Sequence, residues 1–190
     1  MIDDKTSDII RVLDVILSLC GLLLLSPLFI VLVVLCFFDT GSPFFKQQRL
    51  GRGKTRFVIL KFRTMAVGTS DQPTHELDQD VVTFLGRFIR NLKLDELPQL
   101  LNVLAGDMSL VGPRPCLPSQ HELIRLRCQR DIFSWRPGVT GLAQIRRVDM
   151  SEPKKLVDLE VDMMANLNLK RYATFLIMTL IGRGCGDSLG

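Results

Sequence analysis

Two adjacent carboxylates, Asp95 and Glu96, lie near the start of the run Leu94-Asp95-Glu96-Leu97-Pro98-Gln99-Leu100-Leu101-Asn102-Val103-Leu104. Leu97, Leu100, Leu101 and Leu104 recur at i, i+3, i+4 and i+7, the spacing of one helix face. Asp95 stands where such a helix is capped, Glu96 in its first turn, Pro98 where a missing N–H costs little, and Gly106 at the stop. The spacing therefore predicts two carboxylates at the positive end of a helix dipole, where negative charge is favoured. Such a pair can ligate a divalent ion through hard oxygens, and Mg²⁺, which bridges substrate phosphates, suits Asp95 and Glu96. An ionised Asp is also a nucleophile towards phosphorus, dividing one hard transfer into two through an acyl phosphate. The plainer reading is a capping Asp and a first-turn filler, because such caps open helices everywhere.

Carboxylates repel a phosphate unless cations offset them, and Arg63, Arg90, Arg114 and Arg136 are the candidates. In Gly112-Pro113-Arg114-Pro115, two prolines restrict the backbone around Arg114, so its guanidinium is presented at little entropic cost. No Asp or Glu falls between Thr40 and Ser70, whereas Lys46, Arg49, Arg52, Lys54, Arg56, Lys61 and Arg63 all do. That stripe suits phosphates of lipid headgroups, a nucleotide or nucleic acid; a solvated hairpin face is the alternative. A surface ion pair is the alternative for each arginine, and the polar side of a strand for Lys61. Gly53-Lys54-Thr55 is no P-loop, because Gln48 stands where that motif needs Gly. His75 and His121 are the only histidines, which argues against a His-based triad or a His-rich metal cage and leaves ordinary surface or core roles as the default. Cys20, Cys36, Cys116, Cys128 and Cys185 form no C-x-x-C pair and read as free thiols of a reducing compartment.

The elements that must position these groups fit one domain of 190 residues, 47% hydrophobic and 23% charged, with net charge +4. The high apolar content is local. Residues 12–38 are nearly all apolar, and as one helix would run about 40 Å, longer than the roughly 30 Å hydrocarbon core. The run is too long and its leader (Asp3, Asp4, Asp8) too acidic for a cleaved signal peptide. One reading is a tilted spanning helix. The other is a helix broken at Ser26-Pro27 that dips in and returns to the same side, each half too short to span. Basic residues flank both ends (Lys5 and Arg11 before, the 46–63 cluster after), a symmetry that favours both ends in the cytoplasm. Arg11 stands three residues before Asp14 and is its expected cation.

Further on, Phe44–Gln48 and Arg56–Leu60 read as two strands joined by Leu50–Lys54. The polar stretch Ala66–Asp80 reads as a mobile surface loop. Thr83–Leu94 places Phe84, Leu85, Phe88, Ile89 and Leu92 on one amphipathic face and leads straight to Asp95. Ser109–Val111 is extended. Ser119-x-x-Glu122 is a capping box for a helix to about Arg130. Arg136-Pro137-Gly138 and Gly141 make a tight loop, Ala143–Ile145 a short strand, and Ser151-Glu152-Pro153 the start of a helix to about Asn166. Ala173–Ile181 is too short to span and reads as interfacial, with a frayed Gly-rich tail after it.

Lys61-Phe62-Arg63-Thr64-Met65, the run from Asp95 through Pro113-Arg114-Pro115, and Arg136-Pro137-Gly138-Val139-Thr140-Gly141 occur in this order and at fitting distances. Together, over about Arg11 to Val161, they resemble the bacterial sugar transferases, small monotopic polyprenyl-phosphate phosphoglycosyltransferases. The resemblance implies an α+β, mostly helical fold. Residues 1–40 would form a membrane-embedded re-entrant helix hinged at Ser26 and Pro27. Residues 41–190 would form a catalytic domain with a small β-hairpin and interfacial helices, on the cytoplasmic face of the bacterial inner membrane. It implies that Asp95 attacks the sugar-bearing phosphorus of a UDP-sugar, releases UMP and passes the phospho-sugar to a polyprenyl phosphate. Glu96 would assist the Mg²⁺ or the acceptor. Arg114 and Arg90 would contact phosphate or nucleotide, within a substrate-binding set of Lys61, Arg63, Arg90, Pro113, Arg114, Pro115, Arg136 and Gln144. The product would be the first membrane-linked intermediate of a surface glycan.

The chain departs from the family pattern after Gln144, with Ile145–Met150 where many members have Val-Asn-Gly-Arg-Asn. It also has Leu142 in place of an aromatic and Asp162-Met163 in place of a Tyr pair. These departures bear on the sugar and the base contacts more than on the reaction. Two other readings compete: a membrane-anchored module whose basic hairpin docks on anionic lipid, and a nucleic-acid binder. The second is disfavoured by a single Trp and a single Tyr for stacking, so no nucleic-acid partner is expected. A homo-oligomer is left open.

Overall fold

The computed structural model describes residues 4–68 and 81–182. Most of the Ala66–Asp80 stretch with His75, and the tail beyond Gly182 with Cys185, lie outside the described residues. Helices α1 (Asp4–Leu24) and α2 (Ser26–Thr40) meet at a 67° bend. Pro27 has no N–H to offer the Leu23 carbonyl, and the Ser26 hydroxyl donates to it instead at 2.8 Å. Among the described residues no single helix is long and apolar enough to cross a membrane; only α1 and α2 together have that length and apolarity. Gly41, at φ +73°, ends α2 in the left-handed conformation that glycine adopts freely.

Strands β1 (Phe44–Leu50) and β2 (Arg56–Phe62) pair antiparallel from Phe44↔Phe62 to Leu50↔Arg56. Both outrun the expected spans because Leu50 and Phe62 are themselves buried. Next come α3 (Phe84–Asn91), capped by the Thr83 hydroxyl, and α4 (Gln99–Ala105), closed by Gly106. Strand β3 (Ser109–Val111) pairs parallel with β4 (Gly138–Thr140), and α5 (His121–Gln129) lies between them in sequence. The chain continues through α6 (Leu142–Ile145), α7 (Pro153–Asn166) and α8 (Leu169–Leu180). The fold is mostly helical with one hairpin and one parallel pair.

Several local expectations are corrected. Asp95 caps no helix: Leu94–Glu96 form a separate 3₁₀ turn and Pro98 occupies the N-cap of α4. The leucine face is only partly inward: Leu97 and Leu100 pack against buried clusters, Leu101 is exposed, and the fully buried positions of α4 are Gln99, Asn102 and Val103. The α3 stripe is two stripes. Gly86 and Ile89 are buried, whereas Phe84, Phe88 and Leu92, at i, i+4 and i+8, are exposed. Ser119 makes no capping box, since Gln120 holds the N-cap of α5 and its side-chain oxygen accepts from the Leu117 amide. Ala143–Ile145 is helical, because the short strand in this loop is β4, pinned to β3 three residues earlier.

Three buried clusters tie the chain together. The first joins α1, β2, α4, β3 and α8 through Ile10, Ile59, Val103, Met108, Tyr172 and Phe175. The second joins α5, α6 and α7 through Leu123, Ala143, Leu156 and Val157. The third packs Leu32 and Cys36 of α2 against Phe62 and Ile89, with Leu94 and Leu97 at its edge. Two polar contacts fasten α1. Arg11 donates to the Val103 carbonyl at 2.9 Å, a cation at the negative end of α4. Asp14 accepts from the Leu110 amide (2.9 Å) and the Tyr172 hydroxyl (2.8 Å), so its hydrogen bonds go to β3 and α8, while Arg11 acts on it as a nearby cation.

Candidate active site

The hairpin sorts the basic run by its period of two. Phe57, Ile59 and Lys61 share the inner face of β2, with Phe45, Gln47 and Arg49 opposite them on β1. Lys46, Arg52, Lys54 and Arg56 are exposed. The stripe is thus two populations, and Lys61 belongs to the interior.

Helix α4 is set against β2 by an amide that works as a piece of strand. The Asn102 side chain accepts from the Leu60 amide at 3.0 Å and donates to the Val58 carbonyl at 2.8 Å. Sequence reading missed this residue. Its signal was an amide in the middle of an apolar helix. The contact brings the turn ahead of α4 alongside the end of β2, where Glu96 Oε1 lies 3.3 Å from Lys61 Nζ and 3.4 Å from Arg114 Nη2. Asp95, beside it in sequence, is 3% exposed. Lys93, at φ +57°, makes the sharp change of direction between α3 and this turn. Leu94 and Leu97, on either side of the carboxylates, pack in the cluster that contains Leu32 and Cys36. The acidic turn therefore packs with β2 and α3, at the edge of the cluster that α2 completes.

Arg63 and Arg90 gather at the end of β2. Arg63 Nη2 donates to the Phe44 carbonyl at 3.3 Å, and its guanidinium lies over the Phe45 ring. Arg90 Nε donates to the Thr64 hydroxyl at 2.7 Å. Arg63 Nε and Arg90 Nη1 are buried without a hydrogen-bond partner, so the corner retains donor capacity. Close approach of α3 requires Gly86, where a Cβ would meet the Thr64 carbonyl at 2.2 Å. A glycine inside an amphipathic helix was the available signal.

Two members of the expected set stand elsewhere. Arg136 Nε donates to the Gly106 carbonyl at 3.0 Å, at the far end of α4 from the carboxylates. Burial, then the nearby guanidinia of Arg11 and Arg52, hold its pKa below the ordinary value. Gln144 is buried and its side-chain amide donates to the Val139 carbonyl at 2.8 Å, bracing its own loop. Pro113, Arg114 and Pro115 follow β3 directly. Gly112 and Gly138 allow the close contact beneath them, since a Cβ on Gly138 would sit 2.0 Å from the Gly112 nitrogen.

Among the described residues no three His, Cys, Asp or Glu side chains cluster as a metal cage. The available oxygens are those of Asp95 and Glu96. Mg²⁺ is commonly held by one or two carboxylates and otherwise by water and phosphate oxygens. The donor set thus fits an ion that arrives with a diphosphate.

Residues 6–183 match the model of the bacterial sugar transferase family. The chain belongs to that family. It is similar to the exopolysaccharide production protein ExoY of Sinorhizobium fredii, 40% identical over 153 residues, covering 71% of this chain and 67% of that one. The UDP-glucose:undecaprenyl-phosphate glucose-1-phosphate transferase of Caulobacter vibrioides is 41% identical over 141 residues, 72% of this chain and 53% of its own length. The galactosyl transferase CpsE of Streptococcus agalactiae is 35% identical over 184 residues, 90% of this chain and 41% of its own. This sugar transferase chain thus spans between two fifths and two thirds of the length of these three relatives.

Proposed function

We propose that this chain is a polyprenyl-phosphate phosphoglycosyltransferase: it moves a sugar 1-phosphate from a UDP-sugar to undecaprenyl phosphate. The observation that carries this is the buried Asp95 beside a Glu96 gripped by Lys61 and Arg114, on a turn at the edge of the cluster that α2 completes. Asp95 attacks the sugar-bearing phosphorus, the bond from that phosphorus to the bridging oxygen breaks, and UMP leaves with the electron pair. An oxygen of the acceptor phosphate then attacks the same phosphorus and restores the Asp95 carboxylate. Lys61, Arg63, Arg90 and Arg114 bind and orient the phosphates, and donors left over on Arg63 and Arg90 suit the doubly charged diphosphate. Asp95 and Glu96 would hold a Mg²⁺ ion, which would supply charge neutralisation at the diphosphate. Exposed apolar side chains on α1, α2, α3 and α8 support seating in one leaflet, with α1 and α2 re-entrant from the cytoplasmic face. The reaction would start assembly of a surface glycan on the bacterial inner membrane.

Incubating the protein with UDP-sugar and Mg²⁺ but no acceptor should give a UMP burst of at most one equivalent, and a phospho-sugar mass on the peptide carrying Asp95. Excess chelator should stop UMP release. An adduct on Glu96 reverses the roles. UMP release that requires both substrates together replaces the two-step path with a ternary complex. Salt-dependent liposome binding without turnover of any UDP-sugar favours the membrane-anchored module.

A further inference from the structure

The Pro113–Cys116 segment has neither a helical ladder nor a strand partner, yet four successive carbonyls are each taken by a different donor. Pro113 O accepts from the Gly138 amide at 2.8 Å and Cys116 O from the Leu50 amide at 3.0 Å. Pro115 O accepts from Arg49 Nη1 at 3.1 Å, and Arg114 O from Arg127 Nη2 at 2.9 Å. Arg127 differs from the rest. It is a side chain of α5, 2% exposed, sustained in the interior by Glu160 of α7, itself 1% exposed. Arg127 Nε meets Glu160 Oε2 at 2.9 Å, and Nη2 meets Oε1.

Helices α5 and α7 already share the apolar contacts of Leu123, Leu156 and Val157. Replacing a buried ion pair by apolar residues is often neutral or stabilising, so packing these helices does not by itself call for a guanidinium between them. What the pair adds is a directed donor on the carbonyl of Arg114, the residue whose own guanidinium reaches Glu96. Prolines on both sides restrict φ, and a fixed carbonyl restricts the peptide that remains.

We infer that Arg127 and Glu160 are positioning residues for Arg114: Glu160 fixes the Arg127 fork, and Arg127 fixes the backbone from which Arg114 addresses the phosphate site. The inference rests on the phosphate-binding reading of Arg114. Neither residue is catalytic; both act through the loop.

The test compares wild type with the double variant Arg127→Met/Glu160→Leu, alone and combined with Arg114→Ala. The apolar pair should stay folded, because removing two buried charges offsets part of the cost of the Arg114 carbonyl that loses its donor. Its UDP-sugar KM should rise by about tenfold to a hundredfold, the scale of a small misplacement. That rise should vanish when Arg114 is already Ala. Wild-type KM in the folded double variant, or a rise that adds fully to Arg114→Ala, overturns the inference. If the double variant does not fold, Glu160→Gln in the same cycle carries the same expectations. If wild type turns over no UDP-sugar, the transferase reading fails first. Hydrogen exchange at the Cys116 amide then decides: faster exchange in the variant upholds the positioning, unchanged exchange removes it.

Discussion

Prolines stiffen the chain at Ser26-Pro27 and at Pro113-Arg114-Pro115, and the two sites are tied down in opposite ways. At the first, the one carbonyl that Pro27 leaves without a donor is satisfied next door by the Ser26 hydroxyl, and both residues are exposed. At the second, donors from β1, α5 and the start of β4 converge on four carbonyls, and Pro113 and Pro115 are buried. A bend whose own hydrogen bond is satisfied locally leaves its angle to the contacts that hold α1 and α2 farther along, at Arg11, Asp14, Leu32 and Cys36. An over-determined loop holds a single geometry, which phosphate chemistry needs, because catalysis there is mostly positioning and charge. One break answers to its surroundings, the other to the interior.

The largest effects should fall on the turn that faces the over-determined loop. Asp95→Asn should lower UMP release by about a thousandfold or more even without acceptor, since an amide forms no acyl phosphate. Glu96→Gln should slow turnover by about tenfold to a hundredfold while keeping some first-step chemistry, because it loses ion pairs and not the nucleophile. Single-turnover UMP release measures both. Equal losses would mean the carboxylates are interchangeable, and the contrast between buried Asp95 and clamped Glu96 would have no chemical meaning.

Next come the contacts beneath the loop. Gly138→Ala puts a Cβ 2.0 Å from the Gly112 nitrogen, and the β3–β4 pair must part, at a cost of about 3 kcal/mol. Asn102→Ala leaves the Leu60 amide and the Val58 carbonyl unpaired, at about 1–3 kcal/mol for each group that stays buried. Thermal unfolding reads both. Asn102→Ala should also raise the KM for UDP-sugar, because α4 then loses its register against Lys61. A stability loss with unchanged KM would make Asn102 a fold contact only.

What the sequence disclosed follows the same division. The Ser26-Pro27 break, the hairpin, α3, α7 and the Gly106 stop were legible because each depends on residues within a few positions. Family resemblance drew attention to Asp95, Glu96 and Arg114, and the structure brings Arg114 and Lys61 to Glu96 beside a buried Asp95. Asn102, Gly86, Arg127 and Glu160 were not, since each acts on a group dozens of residues away and none interrupts a local period strongly. The N-cap assigned to Asp95 failed for a related reason. Leu94 and Leu97 are drawn into the α2 cluster, which coils the turn separately and delays α4 to Gln99.

The smallest expected effect on stability belongs to the other proline, and it bears most directly on the comparison. Pro27→Ala restores an N–H that can reach the Leu23 carbonyl, which the Ser26 hydroxyl now serves. Both positions are exposed, so thermal stability in detergent should change by no more than about 0.5 kcal/mol. Topology should change more than stability. In oriented vesicles, single cysteines at positions 5 and 46 of an otherwise cysteine-free protein should label from the same side when the segment is re-entrant. In the Pro27→Ala protein a fraction should label from opposite sides, because α1 and α2 in line are long enough to span. Ser26→Ala alone should leave the bend but strand the Leu23 carbonyl in lipid, and so lower stability without moving either label. Labelling from opposite sides already in the wild type would establish a spanning helix. Same-side labelling that survives Pro27→Ala, with activity intact, would instead show that Arg11, Asp14 and the α2 cluster hold the angle. The first proline would then be as firmly set by the interior as the second.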